Sequence, residues 1–167
     1  MHAFTTTISL LTLGALASLA AAQAAPPAGT YGTVTVTNDC AFPVHIAHVD
    51  RNGVFGNGAY APGAVYSEPM YFQGVSLKFT TDGDVYGGDE DELGYSWVDG
   101  AALYWTWGQN GGPFAGGNGG FEVLPDVTDA NCYPLQCAAG DASCDTVNDT
   151  RGCPLTTNLQ VNLCSAS

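Results

Sequence analysis

Basic side chains are nearly missing from this chain: three Lys and Arg face sixteen Asp and Glu, for a formal net charge of -13 over 167 residues. A field of that sign repels phosphate backbones and anionic lipid, which excludes nucleic acid and charge-driven membrane binding and leaves neutral polysaccharide, cations or a basic partner. Most carboxylates have no cation to pair with, which suits mildly acidic surroundings. Helical signals are missing too, since no ten-residue stretch has the 3.6 period of an amphipathic helix. No G-x-S-x-G occurs, so acyl transfer has no serine elbow. The cysteines lack paired C-x2-C knuckles, which argues against zinc. Neither Asp82 nor Asp89 opens an EF-hand loop, because Tyr86 and Leu93 occupy the fifth positions. His45 and His48 stand three apart, so in a strand they face opposite ways and cannot share an ion. A histidine at the mature N-terminus, needed by a copper monooxygenase, is not expected either. No metal and no cofactor are expected.

The one long apolar run is Ile8 to Ala22, followed by Ala22-Gln23-Ala24, an A-x-A cleavage signal. Residues 1–24 are expected to be a secretory signal peptide, and residues 25–167 a single exported domain of 143 residues. Six cysteines in such a chain read as three disulfides rather than as catalytic thiols. Asn148-Asp149-Thr150 is an N-glycosylation sequon, which marks Asn148 as a surface glycan site.

Short alternating runs dominate the rest. Val34 and Val36 alternate with Thr33, Thr35 and Thr37 until Asn38 and Asp39 introduce turn chemistry, and a second run follows from Phe42 to Val49. Val75, Leu77 and Phe79 share one face, as do Leu159, Val161 and Leu163. Leu93 to Val98, Leu103 to Trp107 and Phe121 to Leu124 read as further strands. Arg51 to Gly63 reads as turns with at most one short strand, Asp82 to Glu92 as a solvated acidic loop, and Asp126 to Pro154 as a cysteine-bearing loop region. Many short strands separated by Gly and Pro turns predict an all-β antiparallel sandwich or barrel. Cys40 follows the first strand and Cys164 ends the last, so these two are expected to pair.

The segments VTVTNDCAFPVHI, Cys132-Tyr-Pro-Leu-Gln-Cys137-Ala-Ala-Gly-Asp141 and Cys153-Pro154 with its closing strand resemble thaumatin-like proteins. YSEP (66–69), SLKFT, Tyr95-Ser96 and PFAG (113–116) are similar to the short fungal extracellular members, which include yeast-phase-specific antigens. The resemblance implies a thaumatin-like antiparallel β-sandwich with a disulfide-bearing loop region. It implies the bonds Cys40–Cys164 and Cys132–Cys153, which leaves Cys137 with Cys144. Larger relatives carry an acidic cleft associated with β-1,3-glucan. Here Gly94 stands where they have Glu, Thr106 where they have Asp, and Asp141 is the one acid near a corresponding position.

The resulting expectation is a secreted or wall-associated monomer, not an enzyme, that binds cell-wall polysaccharide such as β-glucan or contributes to wall assembly during spore germination and growth. A β-1,3-glucanase using Asp141 with Asp82 or Asp84 is the fallback, and a surface antigen or adhesin contacting a host protein is the third reading. Sugars stack on flat aromatic rings, which makes Tyr86, Tyr95, Trp97, Tyr104, Trp105 and Trp107 the carbohydrate-binding candidates. Trp105 and Trp107 share one strand face and Tyr104 and Thr106 the other, so one of these two faces belongs to the core.

Overall fold

The alternation of the first run is realised as β1 (Thr33–Asn38), with Val34 and Val36 fully buried and the threonines between them partly exposed. The computed structural model describes residues 30–87, 89–98, 102–114, 119–141 and 149–165, so the expected signal peptide and the Asn148 sequon asparagine lie outside the described residues. No helix occurs among the described residues.

Ten further strands follow: β2 (Val44–Asp50), β3 (Gly53–Tyr60), β4 (Val65–Pro69), β5 (Val75–Thr80), β6 (Glu90–Val98), β7 (Ala102–Asn110), β8 (Phe121–Pro125), β9 (Leu135–Cys137), β10 (Arg151–Pro154) and β11 (Leu159–Leu163). They form a five-stranded sheet, β4-β1-β11-β8-β9, and a six-stranded sheet, β10-β7-β6-β5-β2-β3. The chain is an all-β sandwich, as its alternation predicts. Pairing is antiparallel except between β1 and β11, which run parallel, with Val36 opposite Val161.

Apolar faces of the two sheets meet in one core. Trp107 bridges it, stacked on Phe79 of its own sheet at 5.4 Å and on Phe121 of the other at 3.9 Å. The buried Asn38 amide shapes the first turn, donating to Phe42 O and Tyr60 O at 3.0 and 2.8 Å and accepting from Cys40 N. That turn delivers Cys40 to Cys164, and Cys132 bonds Cys153. Cys137 is also disulfide-bonded, while Cys144, its expected partner, lies outside the described residues.

Three stretches depart from the sequence expectation. Arg51 to Gly63 holds an eight-residue strand, because β3 is a sheet edge where Gly53 and Gly56 can take positive φ and a bulge opposite β2 absorbs the irregularity. The acidic stretch is not all solvated loop: Glu90, Asp91 and Glu92 begin β6. Glu90 pairs with Lys78 Nζ at 2.5 Å, Ser76 donates to Glu92 at 2.7 Å, and Phe114 N–H donates to the buried Asp91 carboxylate at 3.0 Å. These partners make burial of the acids possible. The cysteine-bearing region also contains two short strands, β9 and β10.

Candidate functional site

The outer face of the six-stranded sheet carries the groove that matches the carbohydrate expectation. Strand alternation sends Trp105 and Trp107 inward and Tyr104 and Thr106 outward. Tyr104 is 42% exposed and lies over Gly152 of β10, where an added Cβ would meet its ring at 3.3 Å. Beyond β10, Asp129 accepts from Asn131 N and Cys132 N and folds the 129–133 turn against the strand. Tyr133 stands on the Arg151 guanidinium, which is sandwiched between the Tyr133 and Trp105 rings at 4.5 and 4.8 Å. The Tyr133 hydroxyl donates to Asp149. The product is a groove of about 770 Å³ with Tyr104 and Tyr133 as aromatic members and Asp129, Asn131, Asp149 and Thr150 as polar ones.

Beside it lies a shallower hollow of about 250 Å³ lined by Gly94, Thr106, Tyr104 and Thr150, with no carboxylate. Gly94 and Thr106 are directly paired across β6 and β7. No acid therefore stands at the two positions where the resemblance places them in larger relatives. The fallback acids Asp82, Asp84 and Asp141 are all exposed, and Asp82 and Asp84 each accept a backbone N–H two residues on.

The aromatic candidates separate by burial. Tyr86 is 76% exposed. Trp97 is half-buried, its indole N–H donating to Tyr71 O at 3.0 Å and its ring beside Tyr31. Tyr95, Trp105 and Trp107 are buried at 2% exposure or less, so they are corrected from sugar platforms to core residues. Their rings form the inner layer, where large apolar surface is removed from water.

A second constellation, between the sheets at the opposite edge, was not assembled by sequence reasoning. The inward face of β2 carries His48 and Asp50, while β4 sends Tyr66 and Glu68 inward from the other sheet. The Glu68 carboxylate accepts from His48 Nδ1 at 2.8 Å, from the Tyr66 hydroxyl at 2.5 Å and from the Tyr95 hydroxyl at 2.6 Å. Burial pushes Glu68 upward, but these three donors outweigh it and hold its carboxyl below the usual 4.5. The hydrogen bond to Glu68 raises His48 above 6.5, against the opposing effect of burial. Asp50 is also held down: burial acts against it, and Asn52 and His48 prevail. Phe55 and Phe72 set their ring edges against the imidazole at 6.0 and 5.3 Å. His45 faces away from this cluster, its ring against Gly83, as the three-residue spacing requires. Among the described residues, no group of three or more His, Cys, Asp or Glu could hold a metal ion.

This two-sheet architecture, with first strand tied to last by a disulfide, defines a thaumatin-like fold. The chain belongs to the Bys1 family, Blastomyces yeast-phase-specific protein, whose profile matches residues 21–165. It is 28% identical over 176 residues to an antigenic thaumatin-like protein of Arthroderma benhamiae, covering 99% of this chain and 85% of that protein. Its fold is similar to the protein elicitor MoHrip2 of Magnaporthe oryzae, with TM-score 0.66, 23% identity, and 80% and 99% of the two chains covered. The thaumatin-like xylanase inhibitor TLXI is a further structural relative, with TM-score 0.50, 19% identity, and 78% and 98% covered.

Proposed function

We propose that this is a secreted, non-hydrolytic protein that binds neutral cell-wall polysaccharide, β-glucan first among candidates, along the Tyr104–Tyr133 groove. The observation that carries the reading is that groove: two tyrosines beside amide, hydroxyl and carboxylate groups, in a space of about 770 Å³ that is roomy for several sugar rings. Its acidic rim favours uncharged hydroxyl-rich chains over phosphorylated or uronic ones. The disulfides agree with an oxidising, extracellular setting.

Hydrolysis is disfavoured by the acids themselves. Glycoside cleavage needs one carboxyl kept protonated beside a second that is charged. Three carboxyls with a displaced pKa, Asp50, Glu68 and Asp129, are displaced downward, the wrong direction for a general acid. Glu90 and Glu92 do share one face of β6, but Glu90 is ion-paired to Lys78.

Covering roughly 50 Å² of a tyrosine ring at about 25 cal/mol per Å² is worth about 1.2 kcal/mol, nearly tenfold in affinity. The test is sedimentation with insoluble β-1,3-glucan, with reducing sugar measured in the supernatant between about pH 4 and 7, where glycosidase carboxyls work. Wild type should sediment, Tyr104→Ala should lose about tenfold in affinity, and no sugar should appear. Sugar release, or undiminished binding by the Tyr104→Ala/Tyr133→Ala double variant, would overturn the reading.

A host-facing role is the second reading. Its support is the antigenic relative and the elicitor among the structural neighbours. Glucan-independent binding to host cells would favour it.

A further inference from the structure

We propose that the pocket between the β3 and β4 edges is a second ligand site, built for one uncharged, hydroxyl-rich ring of hexose size, with a ring hydroxyl clamped between His48 Nε2–H and the Asp50 carboxylate. The pocket holds about 270 Å³, below the usual range of sites for drug-sized ligands, so it suits a single ring or chain end and not a running polymer. Its lining combines two aromatic lips, Phe55 and Phe72, 50% and 37% exposed, with the polar floor of His48, Asp50, Asn52, Tyr66 and Glu68.

The floor is asymmetric in a way that selects the ligand. Glu68 already accepts three hydrogen bonds, from His48, Tyr66 and Tyr95, so it fixes the imidazole and is not the acceptor offered to a ligand. With Nδ1 bound to Glu68, the other imidazole nitrogen is left on the Asp50 side, where Nε2 and Oδ2 are 3.8 Å apart, too far for a direct hydrogen bond. One hydroxyl oxygen can lie within bonding distance of both, accepting from the imidazolium and donating to the carboxylate. A phosphate or uronate is selected against, because its anionic group would enter beside the Asp50 and Glu68 carboxylates. An apolar ring face against Phe55 and Phe72 completes the match to a sugar.

The clamp depends on protonation. The charged groups facing His48 are Asp50 on its own strand and Glu68 on β4, with the Tyr66 and Tyr95 hydroxyls completing the surround. When His48 is neutral its remaining proton stays on Nδ1 beside Glu68, and Nε2 becomes a lone pair facing Asp50. The hydroxyl then loses a charge-assisted donor, which corresponds to at least about a tenfold loss of affinity. Binding should therefore be strongest below the raised pKa of His48 and weaken as pH rises through it.

The test follows the His48 imidazole resonances by NMR while methyl β-D-glucopyranoside, methyl α-D-mannopyranoside and laminaribiose are titrated into the folded protein. At least one probe should give a saturable shift with His48 protonated, weakening by at least about tenfold once the same resonances report it neutral. Asp50→Asn should lose about tenfold, and Phe55→Ala, at an exposed position, should also weaken binding while keeping the fold. Tyr104→Ala should leave this binding unchanged. The proposal is overturned if no probe moves His48, if affinity ignores its protonation, or if both pocket variants bind like wild type. Because the groove reading is tested by glucan sedimentation and Tyr104→Ala, either site can fail without the other.

Discussion

Replacing Glu68 with Gln tests the polar link between the two sheets. The substitution keeps the shape of the side chain but removes the charge that faces His48, at 6% exposure, and the buried Tyr95 hydroxyl. Removing one member of a buried charged pair costs about 3–5 kcal/mol, and the amide recovers part of that by still accepting one or two hydrogen bonds. The expected loss is about 3 kcal/mol at pH 5.5, or about 10 °C in Tm for a domain of this size. Both limbs of the pH dependence follow from linkage. Glu68 is depressed when folded, so its contribution is present above the ordinary 4.5 and is lost as pH falls through the folded value. His48 is raised, so its contribution is complete below the ordinary 6.5 and is lost as pH rises through the folded value. Urea unfolding of wild type and variant should give a difference that is largest between about pH 4.5 and 6.5 and smaller at pH 9, where the imidazole has lost its charge and only neutral donors, its Nδ1–H and the two tyrosine hydroxyls, face Glu68. Equal differences at pH 5.5 and 9, or a loss below about 1 kcal/mol, would refute the reasoning.

Two further perturbations have definite outcomes. Cys40–Cys164 spans 124 residues and Cys132–Cys153 spans 21, so chain entropy alone assigns about 5 and about 3 kcal/mol, and replacing the first pair should lower the urea midpoint more. Gly32→Ala should unfold the domain at ordinary temperature or fail to express, since its Cβ would fall 1.8 Å from Thr157 O, and near-wild-type melting would contradict the packing of β1 against the 155–158 turn.

Strands were legible where an apolar face met the core. β1, β5 and β11 place Val34, Leu77 and Val161 inward at period two, and each of those side chains is fully buried. β4 was illegible as a core strand because its inward residues are Tyr66 and Glu68, so an apolar count points the wrong way. β3 was hidden by its glycines, which a sheet edge tolerates. Glu90 and Asp91 read as solvated because their partners, Lys78 and the Phe114 N–H, come from other segments. The same reason hid the pocket: His48 and Glu68 are twenty residues apart and on different sheets, and only the folded sandwich brings them to 2.8 Å. Of the groove, Tyr104 was readable from alternation, whereas Tyr133 and Asp149 depended on how the cysteine-bearing segment folds back over β10.

The positions of the two proposed sites bear on what such a protein could accomplish in a wall. β10, under the groove, and β3, at the lip of the pocket, are the opposite edges of one six-stranded sheet, separated by five strand spacings, or about 24 Å. A glycan chain lying in the groove therefore cannot also place its near neighbours in the pocket, and the two sites would take different chains or distant parts of one. Two weak sites on a rigid body gain effective concentration when both ligands belong to one insoluble mesh, so avidity can exceed either affinity by about 10²–10⁴ without a new contact. Binding to particulate glucan would then be far tighter than to any soluble fragment. The pocket would add its share only while His48 is protonated, so an acid environment would tighten the bridge and an alkaline one would reduce it to the groove alone.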